Sequence, residues 1–266
     1  MARRIVHRPR YVVIDAGNTS TVTGCFSSGK VSCAECIAGG VAADAAACEA
    51  ALLRAAGLQG AEAAILASVV PAHVAPWERL VRKTLGLDLA VLDHTFDLPV
   101  TLDYPAPETT GADRLANVCG AVSRVPQGTP VMVVDIGTAV TYDLVSADRR
   151  FFTGVIGPGP RMIAQALHEK TALLPLVEPT GRYPRMARDT AGAMRVGIEV
   201  GFRGMLRETI ATLLPLLGPG ARFFATGGLA RRYIPPLGMG FRIDPHLTLF
   251  GLGAILARRL GKEIPA

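Results

Sequence analysis

Short apolar runs alternate along the chain with longer segments in which alanine and leucine are interrupted by single charges. The runs have the length of buried strands, and the mixed segments have the spacing of helices. The pattern predicts strands at 11–15, 20–26, 29–37, 63–70, 89–92 and 222–226, a strand-turn-strand at 131–145, and helices at 42–56, 76–85, 113–125, 190–214 and, after a glycine turn, within 154–167. Strands that alternate with helices are typical of an α/β layer architecture.

Two of the predicted strand-turn-strand segments carry the same polar residues at the turn. VVIDAGNTSTVTGCF, residues 12–26, and VMVVDIGTAVTYDLV, residues 131–145, each place Asp, one further residue and Gly directly after an apolar run. The offset is 120 residues throughout, from Asp15 and Asp135 to Thr21 and Thr141. A single DxGN is common as a hairpin turn. Two copies at matching points of two α/β halves indicate a duplicated domain.

The composition of these turns favours a phosphate ligand. A carboxylate at the tip of a buried strand costs free energy unless a positive group meets it, and Gly, Asn and Thr bring N–H groups and hydroxyls alongside. Metal-bound polyphosphate satisfies both needs. The chain has no GxxxxGK[ST], and GPGPRM falls short of GxGxxG, so a P-loop is excluded and a dinucleotide site is disfavoured. Without a loop lysine, Mg²⁺ and a second ion near Asp135 are the expected cations.

Phosphoryl transfer to an alcohol also needs a carboxylate that accepts the hydroxyl proton. Asp113, which follows a glycine and precedes Arg114, is the preferred candidate. The competing interpretation is a helix N-terminal aspartate that only complements the helix dipole. Sequence spacing leaves Glu108, Asp103 and Asp143 open as alternatives.

Composition, net charge and cysteine count restrict the class of protein further. With 266 residues, half of them apolar, the chain can bury a substantial core, and its net charge of +6 comes mainly from scattered arginines, so we expect no nucleic-acid partner. No apolar run approaches a membrane span, and the basic start MARRIVHRPR is expected to be a frayed leader. Five cysteines, an odd number, favour reduced thiols in a cytoplasm, and the CxxC of Cys33 and Cys36 is expected to be packing or surface cysteine.

Several motifs together resemble the type III pantothenate kinase family. They are DxGNT at 15–19, YxxPxxxGADR at 104–114, DIGTAVTYD at 135–143, PG at 158–159, Thr190 and the Thr-Gly-Gly of 226–228. The resemblance runs in order from about residue 11 to residue 257. It implies two duplicated actin-like ATPase (ribonuclease H-like) domains, 1–118 and 119–266, with a nucleotide cleft between them.

The resemblance also implies an activity and the residues that perform it. The activity is ATP-dependent phosphorylation of pantothenate, the first step of coenzyme A synthesis, by a cytoplasmic homodimer that uses Mg²⁺ and K⁺ or NH₄⁺. Asp113 would accept the proton, and Asp135 would bind the monovalent cation. ATP would contact Asp15, Ala16, Gly17, Asn18, Thr19, Ser20, Thr21, Val22 and Thr138, and pantothenate would contact Tyr104, Gly111, Ala112, Asp113, Arg114 and the partner subunit's Thr190.

Two other functions remain compatible with these residues. One is a non-catalytic regulatory or accessory protein on the same fold, although the presence of Asp15, Asp113 and Asp135 disfavours a decayed site. The other is a kinase or phosphatase of the same superfamily that acts on another substrate, because a fold does not fix the substrate.

Overall fold

A computed structural model describes residues 9–58 and 60–262 of the chain. The basic leader discussed above lies outside this part except for its last two residues. The described residues divide into two compact units, the first within Met1–Pro126 and His246–Ala266 and the second within Gln127–Pro245. No helix in these described ranges is long and apolar enough to cross a membrane.

The first unit is a five-stranded sheet with helices on it. The strands of this sheet are β1 (Tyr11–Ala16), β2 (Ser20–Ser27), β3 (Lys30–Ala38), β4 (Ala63–Ser68) and β5 (Leu89–Val91). The two-residue strand β6 (Thr101–Leu102) follows them in the chain and is not part of this sheet. The helices of the first unit are α1 (Ala45–Ala56), α2 (Pro71–Leu85), α3 (Ala112–Val122) and α7 (Leu247–Arg259). The sheet order is β3-β2-β1-β4-β5, with β1 antiparallel to β2 and parallel to β4.

The second unit repeats this arrangement. Its strands are β7 (Val131–Ile136), β8 (Ala139–Val145), β9 (Arg150–Pro158), β10 (Arg222–Thr226) and β11 (Arg242–Ile243), and its helices are α4 (Pro160–Glu169), α5 (Thr190–Leu213) and α6 (Ala230–Tyr233). These strands lie in the order β9-β8-β7-β10-β11, and β7 is antiparallel to β8 and parallel to β10. The predicted α/β architecture is confirmed, and both units show the same strand order, as expected of a duplication.

Local sequence explains where the helices of the first unit begin. The Asp44 carboxylate accepts a hydrogen bond from the Ala47 N–H at 2.9 Å, so α1 begins at Ala45 rather than at residue 42. Helix α2 begins at Pro71, five residues before the predicted start, because proline at the first helical position needs no N–H partner. Pro76 therefore lies inside the helix rather than at its start.

Helices α3 and α7 approach each other unusually closely. A Cβ atom at Gly120 would lie 2.6 Å from the Leu247 carbonyl oxygen, and one at Gly251 would overlap the carbonyl oxygen of α3 at Ala116. The Thr248 hydroxyl donates a buried hydrogen bond of 2.7 Å to the Asn117 side-chain oxygen. The helix that begins with Ala112 and Asp113 is thus held by backbone contact with α7.

Strand β9 and helix α7 are among the elements that the sequence pattern does not reveal. The pattern predicts a glycine turn and a helix within 154–167, but the residues from Phe151 to Pro158 pair with β8. Helix α7 has no polar face to reveal it, because every residue from Leu247 to Ala257 is buried. A helix that is apolar all round loses the 3.6-residue pattern on which detection depends.

Candidate active site

The first candidate phosphate loop (residues 17–19, here the first loop) joins β1 to β2. Asp15 and Ala16 end β1, and Ser20, Thr21 and Val22 begin β2. The Gly17 N–H donates to the Ser20 carbonyl at 3.0 Å, which closes the turn and leaves the side chains of Asn18 and Thr19 exposed. The partly buried Asp15 carboxylate therefore stands beside an exposed polar turn, as the sequence predicts.

The edge strand β3 fixes the far side of this loop. The Gly39 N–H donates to the Thr19 carbonyl at 2.8 Å, and the buried Thr21 hydroxyl donates to the Gly39 carbonyl at 3.0 Å. Backbone hydrogen bonds of this kind fix loop geometry without consuming the exposed side chains. The conformation of the first loop thus depends on the residue that follows β3.

Asp113 lies in the first turn of α3, whose N-cap is Gly111. The Arg114 backbone N–H donates to its carboxylate at 2.8 Å. Burial raises the pKa of Asp113, and it outweighs the hydrogen bond and positive charge of Arg114, which lower that pKa. A carboxylate whose pKa is raised by burial is a stronger base than an exposed one, which suits proton abstraction.

Four of the predicted pantothenate residues lie close to Asp113 in the sequence, and some of them contact one another. A Cβ at Gly111 would lie 2.6 Å from the Asp113 carboxylate, so a side chain there would displace that carboxylate. Arg114 donates from its guanidinium to the Tyr104 hydroxyl at 3.5 Å. Ala112 is buried beneath the turn. The site residues of this segment therefore form one local cluster.

The first loop and the Asp113 cluster lie at the same edge of the first unit. Strands β1 and β4 are parallel, with Asp15 opposite Ala67, so both strands end at that edge. Val69 follows β4, and its methyl group would lie 3.4 Å from a Cβ at Gly111. The chain of contacts from β1 through β4 to Gly111 brings together two groups of residues that are nearly 100 positions apart.

The alternative carboxylates differ from Asp113 in their surroundings. Asp103 and Glu108 are exposed, and Glu108 lies in a single turn of 3₁₀-helix at Pro107–Thr109. Asp143 is fully buried on β8 of the second unit, where the Thr141 hydroxyl donates to it at 3.4 Å. Of the four carboxylates considered, Asp113 alone is neither exposed nor fully buried.

The second candidate phosphate loop (residues 137–138, here the second loop) joins β7 to β8. Asp135 lies opposite Thr141 on β8, whereas Asp15 lies opposite Val22 on β2. The sequence offset that aligns Thr21 with Thr141 therefore fails beyond the glycine, because the second loop is one residue shorter. Its Gly137 N–H closes the tighter turn on the Ala139 carbonyl at 2.9 Å.

Two glycines that sequence analysis left without a role pack directly on the second loop. A Cβ at Gly159 would overlap the carbonyl oxygens of the loop, and its N–H donates to the Thr138 carbonyl at 3.0 Å. Gly227, at φ 88°, leaves room for the Asp135 carboxylate and the Ile136 carbonyl. In the sequence these two glycines stand out only as parts of PG and TGG at the ends of strands. A glycine at each position lets the backbone approach the loop closely.

Thr190 is on a different element of the second unit from Asp135 and Thr138. It is the first residue of α5 and is exposed, and the preceding Asp189 caps the helix by accepting from the Gly192 N–H at 2.6 Å. The carboxylate of Glu199, buried on the same helix, accepts from the N–H groups of Thr180 and Gly181 at 2.8 Å each. Glu199 thereby fixes the start of the arginine-rich segment 181–188.

The site's oxygen groups suit hard cations. Within the described ranges, no three His, Cys, Asp or Glu side chains cluster as a protein-only metal site. Mg²⁺ in nucleotide enzymes is usually held by one or two carboxylates together with substrate phosphates, so it needs no such cluster. Asp15 beside the exposed Asn18 and Thr19 fits that pattern.

Comparisons of sequence identify one family. Residues 11–212 match the model of the type III pantothenate kinase family. A type III pantothenate kinase of Methylacidiphilum infernorum is 41% identical over 206 residues, which are 76% of this chain and 74% of the relative. One of Moorella thermoacetica is 33% identical over 253 residues, which are 93% of this chain and 98% of the relative.

Comparisons of structure identify the fold. Component A of the (R)-2-hydroxyglutaryl-CoA dehydratase of Acidaminococcus fermentans superposes with a TM-score of 0.57 at 13% identity, covering 96% of this chain and 100% of the other. A ROK family glucokinase of Streptomyces griseus, solved with glucose and AMPPNP, gives 0.55 at 15% identity, covering 94% and 99%. At such identities the likeness concerns the fold alone, and it confirms the predicted actin-like ATPase fold.

Proposed function

This chain belongs to the type III pantothenate kinase family, and from that membership we propose how its residues act. The protein is an ATP-dependent kinase that phosphorylates pantothenate to 4′-phosphopantothenate, in the first step of coenzyme A biosynthesis. The family match over 11–212 carries this conclusion. The roles of single residues are our proposal.

Asp113 is the proposed proton acceptor. As the pantothenate hydroxyl oxygen bonds to the γ-phosphorus of ATP, its proton passes to the Asp113 carboxylate, the bond from the γ-phosphorus to the bridging oxygen breaks, and ADP leaves. The partly buried carboxylate with a raised pKa supports this role. Tyr104, Gly111, Ala112 and Arg114 position the substrate around it, with Arg114 offering charge to the pantothenate carboxylate.

The two loops are the proposed phosphate contacts. Residues 15–22 hold ATP phosphates through N–H groups and hydroxyls, and Thr138 contacts ATP from the second loop. Asp15 holds Mg²⁺, which neutralises charge on the transferring phosphoryl group when it is bound. Asp135 binds the monovalent cation, K⁺ or NH₄⁺.

Pantothenate-dependent release of ADP by the purified protein tests the function directly. We expect release with Mg·ATP and pantothenate and only a trace without pantothenate. Absence of release with pantothenate and with other small alcohols would instead indicate a regulatory protein. Release only with another alcohol would indicate a kinase of different specificity.

The monovalent cation should act through Asp135. We expect turnover in potassium to exceed turnover in sodium, and Asp135→Asn to lower turnover in potassium by about tenfold or more, because it removes a unit charge beside a bound cation. Rates in a series of potassium concentrations give the measurement. Asp148→Asn, an exposed aspartate of the same unit, is the control and should keep the potassium response. If the response of Asp135→Asn to potassium is unchanged, Asp135 does not bind the monovalent cation.

The active protein is proposed to be a cytoplasmic homodimer in which Thr190 acts on the partner's substrate. Asp113→Asn and Thr190→Arg should each be inactive alone, but a mixture should regain about a quarter of wild-type activity, because half the randomly formed dimers contain one intact site. Reconstitution after unfolding and refolding the mixed chains gives the measurement. If both residues acted within one chain, mixing would restore nothing.

A further inference from the structure

The chain between α4 and α5 is a long connection without regular structure. The described residues between Glu169, which ends α4, and Thr190, which begins α5, form neither helix nor strand. Connections longer than about 15 residues are uncommon in compact domains, and those that are ordered usually have a function. Residues 182–190 are all exposed, so core packing does not fix the arginine-rich segment 181–188. Its position depends on the contacts at its two ends.

A buried carboxylate holds the start of this segment. Glu199 lies on α5 with 0% of its surface exposed, and its Oε1 accepts hydrogen bonds of 2.8 Å from the N–H groups of Thr180 and Gly181. Burying a carboxylate costs free energy, and an apolar side chain of similar size often stabilises a buried position better. Stability alone therefore does not explain a carboxylate at this position, whereas the two backbone N–H groups that it fixes do.

Two arginines bond the carbonyl groups next to these N–H groups. Arg203 of α5 donates to the Gly181 carbonyl oxygen, and its guanidinium carbon lies 5.2 Å from the centre of the Tyr183 ring. Arg232 of α6, an exposed residue, donates to the Pro179 carbonyl oxygen at 3.1 Å. Side chains of two helices thus fix the backbone at the point where the arginine-rich segment begins.

The other end of the segment packs on the first turn of α5. Asp189 caps the helix by accepting from the Gly192 N–H, and a Cβ at Gly192 would lie 3.6 Å from the Ala187 Cα. Thr190 is the first residue of this turn. Because the segment is short and is held at both ends by α5, release of its start lets Ala187 and Asp189 move. The turn that carries Thr190 then loses its cap.

We propose that Glu199 is a positioning residue for the pantothenate site, because it fixes the segment that leads into Thr190. This inference rests on the proposed function, which places Thr190 at the partner's substrate. Glu199 contacts backbone N–H groups and takes no part in phosphoryl transfer. A segment that is already ordered loses less conformational entropy when the substrate binds. Loss of the anchor should therefore weaken pantothenate binding more than it slows the chemical step.

Steady-state kinetics of two Glu199 variants test this role. Glu199→Ala removes the acceptor, and we expect the KM for pantothenate to rise about tenfold while kcat and the KM for ATP change less than about threefold. The amide oxygen of Glu199→Gln accepts the same two N–H groups, so this variant should keep the KM for pantothenate within about threefold of wild type. An unchanged KM in Glu199→Ala, equal losses for both substrates, or a Glu199→Gln variant as impaired as Glu199→Ala would overturn the proposal.

Limited proteolysis tests the anchor without any kinase assay. Trypsin cleaves after arginine, and Arg182, Arg185 and Arg188 are exposed within the segment. Cleavage there requires the backbone to leave its anchored path. We expect trypsin to cut the segment about tenfold faster in Glu199→Ala than in wild type or Glu199→Gln, with no change in cleavage elsewhere. Equal rates in the three proteins would show that Glu199 does not anchor the segment.

The effect of Glu199→Ala should stay local. Val177, earlier in the same connection, is buried in one apolar cluster with Met194 and Ile198. This packing keeps the earlier part of the connection in place when the carboxylate is removed. The circular dichroism spectrum of Glu199→Ala should therefore match that of the wild type.

Arg232→Ala tests the same anchor from the protein surface, where a substitution does not empty a buried position. It removes the bond to Pro179, so we expect faster tryptic cleavage of the segment and a KM for pantothenate about threefold above wild type. Arg231→Ala, at the exposed neighbour, is the matched control and should behave as wild type. Identical behaviour of these two variants would overturn the anchor even if Glu199→Ala does not fold. If the wild-type protein releases no ADP with pantothenate, the proposed function fails, whereas the proteolysis still decides the anchor.

Discussion

Asp113→Asn should lower turnover with ATP and pantothenate by about a hundredfold to ten-thousandfold, the usual contribution of a positioned general base. The amide has nearly the shape of the carboxylate but cannot accept the hydroxyl proton. ATP affinity should change by less than about threefold, because phosphoryl-transfer enzymes hold the nucleotide by contacts separate from the base. Steady-state turnover and calorimetric ATP binding on the same preparation give the two measurements.

The pH dependence of the wild-type enzyme follows from the same residue. Burial raises the pKa of Asp113 above that of an exposed aspartate, and the base acts only when it is ionised. Turnover should therefore fall as pH falls through this raised pKa. The acid limb should be absent from the residual activity of Asp113→Asn.

Asp113→Asn should lower turnover but raise the free energy of unfolding. The folded state holds the Asp113 proton more tightly than the unfolded state does, so this group stabilises the fold least at pH values above its raised folded pKa. Asp113→Asn should therefore raise the free energy of unfolding at neutral pH, in urea titrations, although it destroys activity. Glu108→Gln, an exposed neighbour, is the control and should leave turnover unchanged. Equal losses of turnover and ATP affinity in Asp113→Asn would contradict its role as base.

The two DxG turns could be found from the sequence because their pattern is local. A run of four apolar residues followed by Asp, any residue and Gly occupies a short window, and its second copy raises the specificity of the pattern. The structure places both turns between antiparallel strands at matching positions of two sheets with the same strand order. The constant offset of 120 residues did not show that the second loop is one residue shorter than the first. Aligning two sequences matches residue types, and it does not give the register of the strands.

Features that depend on contacts between residues far apart in the chain could not be predicted from the sequence. The predicted boundary after residue 118 assumes that each half of the chain forms one domain, whereas the compact units put α7 with the first unit. Gly159 and Gly227 gain their meaning only from the second loop that they touch. The bulge at Cys33 could not be predicted from the sequence, because it shows only in the pairing of β3 with β2.

Gly251→Ala should lower the free energy of unfolding by about 3 kcal/mol or more, as overpacking against backbone does. Its new methyl group would overlap the Ala116 carbonyl oxygen of α3, which is backbone and cannot turn aside as a side chain would. Relief requires α3 and α7 to separate, and this stretches the buried hydrogen bond from Thr248 to Asn117. Urea titration followed by circular dichroism gives the measurement.

Gly201→Ala is the matched control for this substitution, because Gly201 is an exposed position of α5 where a Cβ would have nothing within 4 Å. It should gain about 0.5–1 kcal/mol from helix propensity alone. Because α3 begins beside Asp113, Gly251→Ala protein that remains folded should also show lower turnover and a higher KM for pantothenate. Equal stability of the two alanine variants would mean that α7 does not fix the position of α3, and the case for a catalytic carboxylate held by helix packing would fail.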